Sequence, residues 1–173
     1  GGEFMADDKI DRIKEISKKE LVINNKKVNL LSENEVYNLC IKKGTLTEEE
    51  RTVINNHVTV SYNMLNTLPF PKKLKRVPVI AASHHKKVKG GGYGAPELMD
   101  LPMTLEDRIL AVADVFEALT ANDRPYKKAN SLNTSLRILS FMVKDGELDK
   151  ELVKFFVDKE LHLKYADKHL SEE

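Results

Sequence analysis

Apolar residues recur at helical spacing along most of the chain, and capping residues, prolines and glycines punctuate the stretches between. Ile10, Ile13 and Ile16 fall three apart within the charged segment 7–20, which predicts a weak surface helix. The next stretch, 21–31 (LVINNKKVNLL), has no clear period and reads as a short extended piece or an irregular connector. Residues 33–42 predict a short helix that stops before Gly44. Thr47 and Glu50 have the spacing of a capping box and open a long helix to about Leu68. Val53, His57, Val60 and Met64 share one face of that helix, which would turn His57 inward. Pro69 and Pro71 end it, and a further helix over 72–86 carries Val77, Ile80, Ala81, His84 and His85 on its inner stripe. Lys89–Pro96 (KGGGYGAP) is a glycine-rich loop. Thr104 caps a helix to about Ala121; Ile109–Leu119 is apolar nearly all round, so this helix should be central. Two more helices, 131–144 and 149–163, flank Asp145-Gly146. Five or more helices, no convincing strand, no internal repeat and no linker predict one all-α domain.

Composition narrows the class. A chain of 173 residues with 41% hydrophobic content can bury a real core. Charged residues reach 32%, but the signs nearly cancel to +1, so net charge names no partner. No apolar run approaches the roughly 20 residues that span a bilayer. The single cysteine, Cys40, allows no intrachain disulfide. Together these features predict a cytoplasmic setting without membrane insertion. Aromatic residues make up 6% and Trp is absent, which leaves few stacking surfaces for a nucleic acid. Residues 1–4 read Gly-Gly-Glu-Phe, a string that resembles the diguanylate cyclase signature, yet it directly precedes Met5 as a cloning scar would. Residues 1–5 are therefore set outside the fold, 6–43 form a divergent N-terminal helical segment, 44–165 the core and 166–173 a tail.

The candidate chemistry gathers around one acid and three imidazoles. Asp114 interrupts the apolar run LAVADVF, and a carboxylate buried there needs a cation, a donor or a metal. Arg108 is one partner within reach and a metal ion the other. His84 and His85 are neighbours near a predicted helix end, and imidazole suits iron, manganese and zinc. Inward His57 adds a third ring. Lys86, Lys87 and Lys89 precede three glycines, and Arg124, Lys127 and Lys128 lie in DRPYKK. Free backbone N–H groups beside fixed positive charge suit phosphate, although the same lysines also read as a solvated surface. His162 and His169 carry no such company.

In this order and at this approximate spacing, the motifs resemble the HD-GYP family of bacterial helical domains. VADVFEALTANDRPYKKA (Val112–Ala129) is the strongest stretch, with GTLTEEE (Gly44–Glu50), His57, His84-His85 and GGGY (Gly90–Tyr93) ahead of it. The resemblance implies an HD-type bundle of about five to seven helices over roughly Gly44–Phe156. It also implies hydrolysis of cyclic di-GMP at a multi-metal iron or manganese centre. Carried over by position, His57, His84, His85 and Asp114 are metal ligands, Arg124 and Lys127 approach the dinucleotide phosphates with Lys86 and Lys89 nearby, and Tyr93 belongs to the loop of the family's name.

The departures share a direction. The family's His-Asp pair belongs upstream of His57, but no histidine occurs between residues 1 and 56. An ungapped alignment places Val28-Asn29 there, and a shifted one Asn24-Asn25. Lys86 stands where the family has a glutamate after the histidine pair, Lys89 where it has an acid, and Gly94 where it has proline. A multi-metal hydrolase needs bridging carboxylates to hold its ions and activate water. The expectation is a degenerate HD-GYP domain, not hydrolytic, that holds one iron or manganese ion rather than two, if any. It would bind cyclic di-GMP or a protein partner in second-messenger signalling. A phosphodiesterase with an altered metal site is the alternative.

Overall fold

The computed structural model describes residues 4–121 and 129–170. The chain divides into two compact units, 1–54 and 55–173.

In the first unit, α1 (Asp7–Ser17) exposes its charges and buries Ile10 alone. The following stretch takes the extended alternative and pairs with itself. β1 (Glu20–Ile23) and β2 (Lys26–Asn29) form an antiparallel hairpin with Leu21 opposite Val28. This corrects the expectation of a chain without strands. The turn is Asn24-Asn25, both left-handed at φ 51° and 61°, which is what a two-residue hairpin turn requires and what asparagine tolerates. All eight strand residues are exposed, so no alternation of burial marked them in the sequence. Ser32 and Glu35 cap α2 (Glu33–Leu39) reciprocally. Phe4 and Met5, set outside the fold by the sequence, meet this unit's backbone: Phe4 bridges Lys43, and the Met5 N–H donates to the Lys42 carbonyl.

The capping box ahead of α3 (Glu48–Asn55) is formed as expected, with Glu50 N–H on Thr47 Oγ1 and Thr47 N–H on the Glu50 carboxylate. The expected single helix to Leu68 is not. It breaks at Asn56, and α4 (His57–Asn66) starts afresh in the second unit. Two successive asparagines, whose amides compete for local backbone groups, account for the break. The predicted apolar stripe fails with it: Val53, Val60 and Met64 are exposed, His57 is exposed, and Val58 is the buried residue of α4.

The predicted helix over 72–86 also shrinks. A 3₁₀ turn at Lys72–Leu74 precedes α5 (Val77–Ala81), and His84 and His85 lie on the turns beyond it. Past Ala81 the chain is drawn away to pair Lys86 with Gly92. Thr104 caps α6 (Leu105–Thr120) as expected, with Asp107 closing the box. α7 (Leu132–Lys144), α8 (Lys150–Asp158) and α9 (Leu161–His169) follow, the last two separated where Glu160 turns left-handed at φ 54°. Ala111, Val112 and Phe116 of α6 pack on Leu139, Leu148 and Val153 to make the main core. Val58, Ala82, Ala95 and Leu98 make a second, beneath Tyr62, Val79 and Tyr93. The fold is mostly helical with one small hairpin. Among the described residues, no helix is long and apolar enough to cross a membrane.

Asp149 joins two of these helices. Its carboxylate caps α8 by accepting from Glu151 N–H and Leu152 N–H, and it pairs with Arg108 of α6. Burial raises its pKa, but the backbone N–H groups and the Arg108 guanidinium overcome that and hold it below the usual carboxylate value of 3.8. Asp149→Ala should cost about 2–3 kcal/mol of unfolding free energy at neutral pH. Because the folded pKa is depressed, this contribution is complete above pH 3.8 and is lost as pH falls through the lower, folded value. The gap between wild type and variant in denaturant melts should therefore close in acid.

Candidate metal centre

The site is built where α4 begins and α5 ends. Val58, buried one residue after His57, fixes the start of α4, and Ala82, fully buried, fixes the chain just before the histidine pair. The His57 ring centre then lies 6.2 Å from that of His84 and 5.3 Å from that of His85, while the two neighbours sit 3.9 Å apart. One ring nitrogen from each of the three lies within 4.8 Å of the others, close enough to share an ion. His84 and His85 are half-buried and His57 exposed, so the group opens to solvent on the His57 side.

The nitrogens are prepared for ligation. His84 Nδ1 is 2.6 Å from the Ala81 carbonyl, an acceptor only, so Nδ1–H donates there and Nε2 is the nitrogen left for an ion. His85 is driven to a pKa of about 4, first by burial and then by His84 and His57, against the opposing pull of Asp114. It is neutral at physiological pH and its lone pair is available. Asp114 Oδ2 approaches His85 Nδ1 at 3.8 Å. Asp114 is half-buried rather than enclosed, and its expected partner Arg108 is committed to Asp149 and the Thr104 carbonyl. Asp114 and His84 share a cavity of about 330 Å³ walled by Ser61, Met64, Leu65, Ala81 and Leu110. Three imidazoles with a carboxylate alongside are a donor set that fits one transition-metal ion such as iron, manganese or zinc.

Tyr93 lies against the histidine cluster. Its ring stacks on His85 at 4.4 Å and 28°, and burial and then Asp114 raise its hydroxyl pKa. The loop reaches that position through Gly92. A Cβ there would lie 2.2 Å from the His85 carbonyl oxygen, and its φ of 88° belongs to glycine. That carbonyl accepts from the Tyr93 N–H.

The lysines behave differently. Lys86, expected at the phosphates, is 6% exposed and its ammonium donates to the carbonyls of Leu98 (2.6 Å) and Leu101. Burial leaves its cation no path to a phosphate, so that expectation is corrected. The Lys89 backbone N–H donates to the Gly146 carbonyl and its methylenes lie against Gly146, which ties the glycine loop to the α7–α8 turn. Lys87 reinforces the tie by pairing with Glu147. Arg124 and Lys127 lie outside the described residues. Sequence reasoning missed Asp107, a carboxylate 2% exposed, though its three-residue spacing from Thr104 was the signal.

The HD domain profile matches residues 33–152, more than half of the chain. The chain belongs to the HD domain family. Over 100 residues this HD domain is 38% identical to the cyclic di-GMP phosphodiesterase response regulator RpfG of Xanthomonas campestris pv. campestris, a match that covers 57% of the chain and 25% of that protein. It is 36% identical over 116 residues to 3'3'-cGAMP-specific phosphodiesterase 1 of Vibrio cholerae, 67% of the chain and 26% of the relative. It is 31% identical over 120 residues to a cyclic di-GMP phosphodiesterase of Thermotoga maritima, 69% and 31%. The chain thus spans about a quarter to a third of the length of these relatives. The HD-GYP resemblance read from the sequence holds. The HD domain nonetheless contains no His-Asp dipeptide. Asn24-Asn25 and Val28-Asn29, which the sequence reading set against that pair, lie upstream of the matched residues, in the turn and second strand of an exposed hairpin.

Neutral His85 makes a testable claim. Its proton resonances should titrate near pH 4, well below the usual 6.5. The unfolded chain protonates this ring below pH 6.5 while the folded one resists, so stability should fall as pH drops from 6.5 toward 4. His85→Gln should flatten that part of the stability profile.

Proposed function

We propose that this HD domain is a degenerate HD-GYP module of bacterial cyclic-dinucleotide signalling, one that binds rather than hydrolyses. The observation that carries the reading is the composition of the histidine cluster. Among the described residues it offers three imidazoles and, at His85, the carboxylate of Asp114. Such a set suits one ion, whereas a hydrolytic centre of several ions needs carboxylates that bridge them. A bound iron or manganese ion would supply Lewis acidity toward a phosphate oxygen. His57, His84 and His85 would hold it, with Asp114 beside them. Tyr93 closes over His85, and Asp114 repels a phosphate unless an ion offsets it, so ion and dinucleotide would enter together.

Relatives named for cyclic di-GMP and for 3'3'-cGAMP both match, so the ligand class is a 3'–5' cyclic dinucleotide, with cyclic di-GMP the first candidate. Arg124 and Lys127 remain the proposed phosphate contacts. A cytoplasmic location and a protein partner in second-messenger signalling complete the reading. The names of those relatives favour one rival, a phosphodiesterase working through a reduced metal site.

Elemental analysis and turnover on the purified chain separate the two. Loaded with manganese or iron, it should retain no more than one ion per chain and leave both cyclic dinucleotides intact. Calorimetry should show saturable cyclic di-GMP binding that weakens at least tenfold in Arg124→Ala, a loss of about 1.4 kcal/mol or more. Linearisation at ordinary enzyme rates, abolished by His85→Ala, would establish the rival.

A further inference from the structure

Among the described residues of the second unit Lys86 is the buried lysine, and the histidine cluster does not use it. Two of its three N–H groups are spent on the carbonyls of Leu98 and Leu101. It lines a cavity of about 260 Å³ with Ser83, Arg76, Thr104 and Asp107. Asp107, also fully enclosed, accepts from Thr104 N–H through Oδ2, while its Oδ1 has no partner among the described residues. A buried lysine and a buried carboxylate with an unmatched oxygen therefore wall the same cavity, where opposite charges attract more strongly than in bulk water.

The connectivity gives this arrangement a consequence. Lys86 follows His85 directly, and its backbone bridges Gly92. Asp107 and Asp114 are about two turns apart on α6, hence on one face of it. An ammonium anchored at Leu98 and Leu101 and drawn to Asp107 therefore sets the histidine pair against the α6 face that carries Asp114. From this juxtaposition of Lys86, the Leu98–Leu101 carbonyls and Asp107 we infer that Lys86 is a positioning residue for the His84-His85 pair. Its charge is taken up by backbone dipoles and Asp107 and holds the turn in place. This inference rests on the reading of the histidines as a metal site only for its metal-binding arm.

The test uses Lys86→Met, Lys86→Gln and, as control, Lys87→Met, whose lysine pairs with Glu147 on the same turn. In the metal-free protein, Lys86→Met should move the ring-proton resonances of His84, His85 and Tyr93 at neutral pH and leave the circular dichroism unchanged. Lys87→Met should leave those resonances in place. Lys86→Gln keeps donors for the two carbonyls and should restore them in part. With cobalt(II) as the probe, Lys86→Met should weaken binding about tenfold, as loss of a group that orients metal ligands does, and alter the d–d spectrum. Unmoved ring resonances in Lys86→Met would overturn the inference. If Lys86→Met does not fold, Lys86→Gln decides: ring resonances displaced from wild type support the inference, and resonances identical to wild type overturn it. Wild type that binds no cobalt would sink the metal reading alone, and the metal-free resonances would still decide the role of Lys86.

Discussion

Everything at the histidine cluster depends on the close passage of the glycine loop over the backbone of His85. The Tyr93 N–H reaches the His85 carbonyl because Gly92 has no Cβ to obstruct it. That one contact places the Tyr93 ring flat on His85, and the covering ring helps to remove the imidazole from water. Removal from water in turn keeps His85 neutral and its lone pair open. A backbone constraint two residues wide thus becomes a property of a ligand nitrogen. The glycines were read from the sequence as a possible phosphate cradle, and the loop does expose its backbone at Gly90 and Gly91. At Gly92 the requirement is steric and internal.

The same loop is held from the other side. Val88 and Lys89 donate backbone N–H groups to Glu147 and Gly146, and Lys87 pairs with Glu147. The turn between α7 and α8 is therefore coupled to the site through the loop, while Asp149, next in that turn, ties α8 to α6 through Arg108. Asp114 stands on that same α6. The pieces that carry the three kinds of donor (turn, loop and central helix) meet in one short connection, so the α7–α8 turn is structural support for the site despite lying outside it.

How much of this was legible follows from what each signal measures. The capping box at Thr47–Glu50, the cap at Thr104 and the central apolar helix were read correctly because their rules are local. The hairpin was not, because periodicity reports burial and its eight residues are all exposed. The long helices over 47–68 and 72–86 were overdrawn for a related reason. A helical period persists on paper through Asn56 and past Ala81, while the backbone leaves the helix at both points. The error mattered little for the histidines. His57, His84 and His85 meet at a helix start and beyond a helix end rather than on stripes, so their convergence came from the family resemblance and not from periodicity.

Lys86 shows where residue type misleads most. Read in sequence, a lysine in place of an acid beside two histidines repels an ion and marks a lost active site. In the fold, its ammonium is buried among the carbonyls of Leu98 and Leu101 with Asp107 on the same cavity wall, so its field is largely neutralised before it reaches the imidazoles. The substitution therefore weighs little against an ion at the cluster. The proposal of a non-hydrolytic module then rests on the donor set of the histidine cluster, with the absence of a His-Asp pair from the sequence beside it. The hairpin closed by Asn24-Asn25, which the sequence reading set against that pair, offers no imidazole in either strand. Three imidazoles suffice to hold one ion, whereas a centre that uses two needs carboxylates to bridge them.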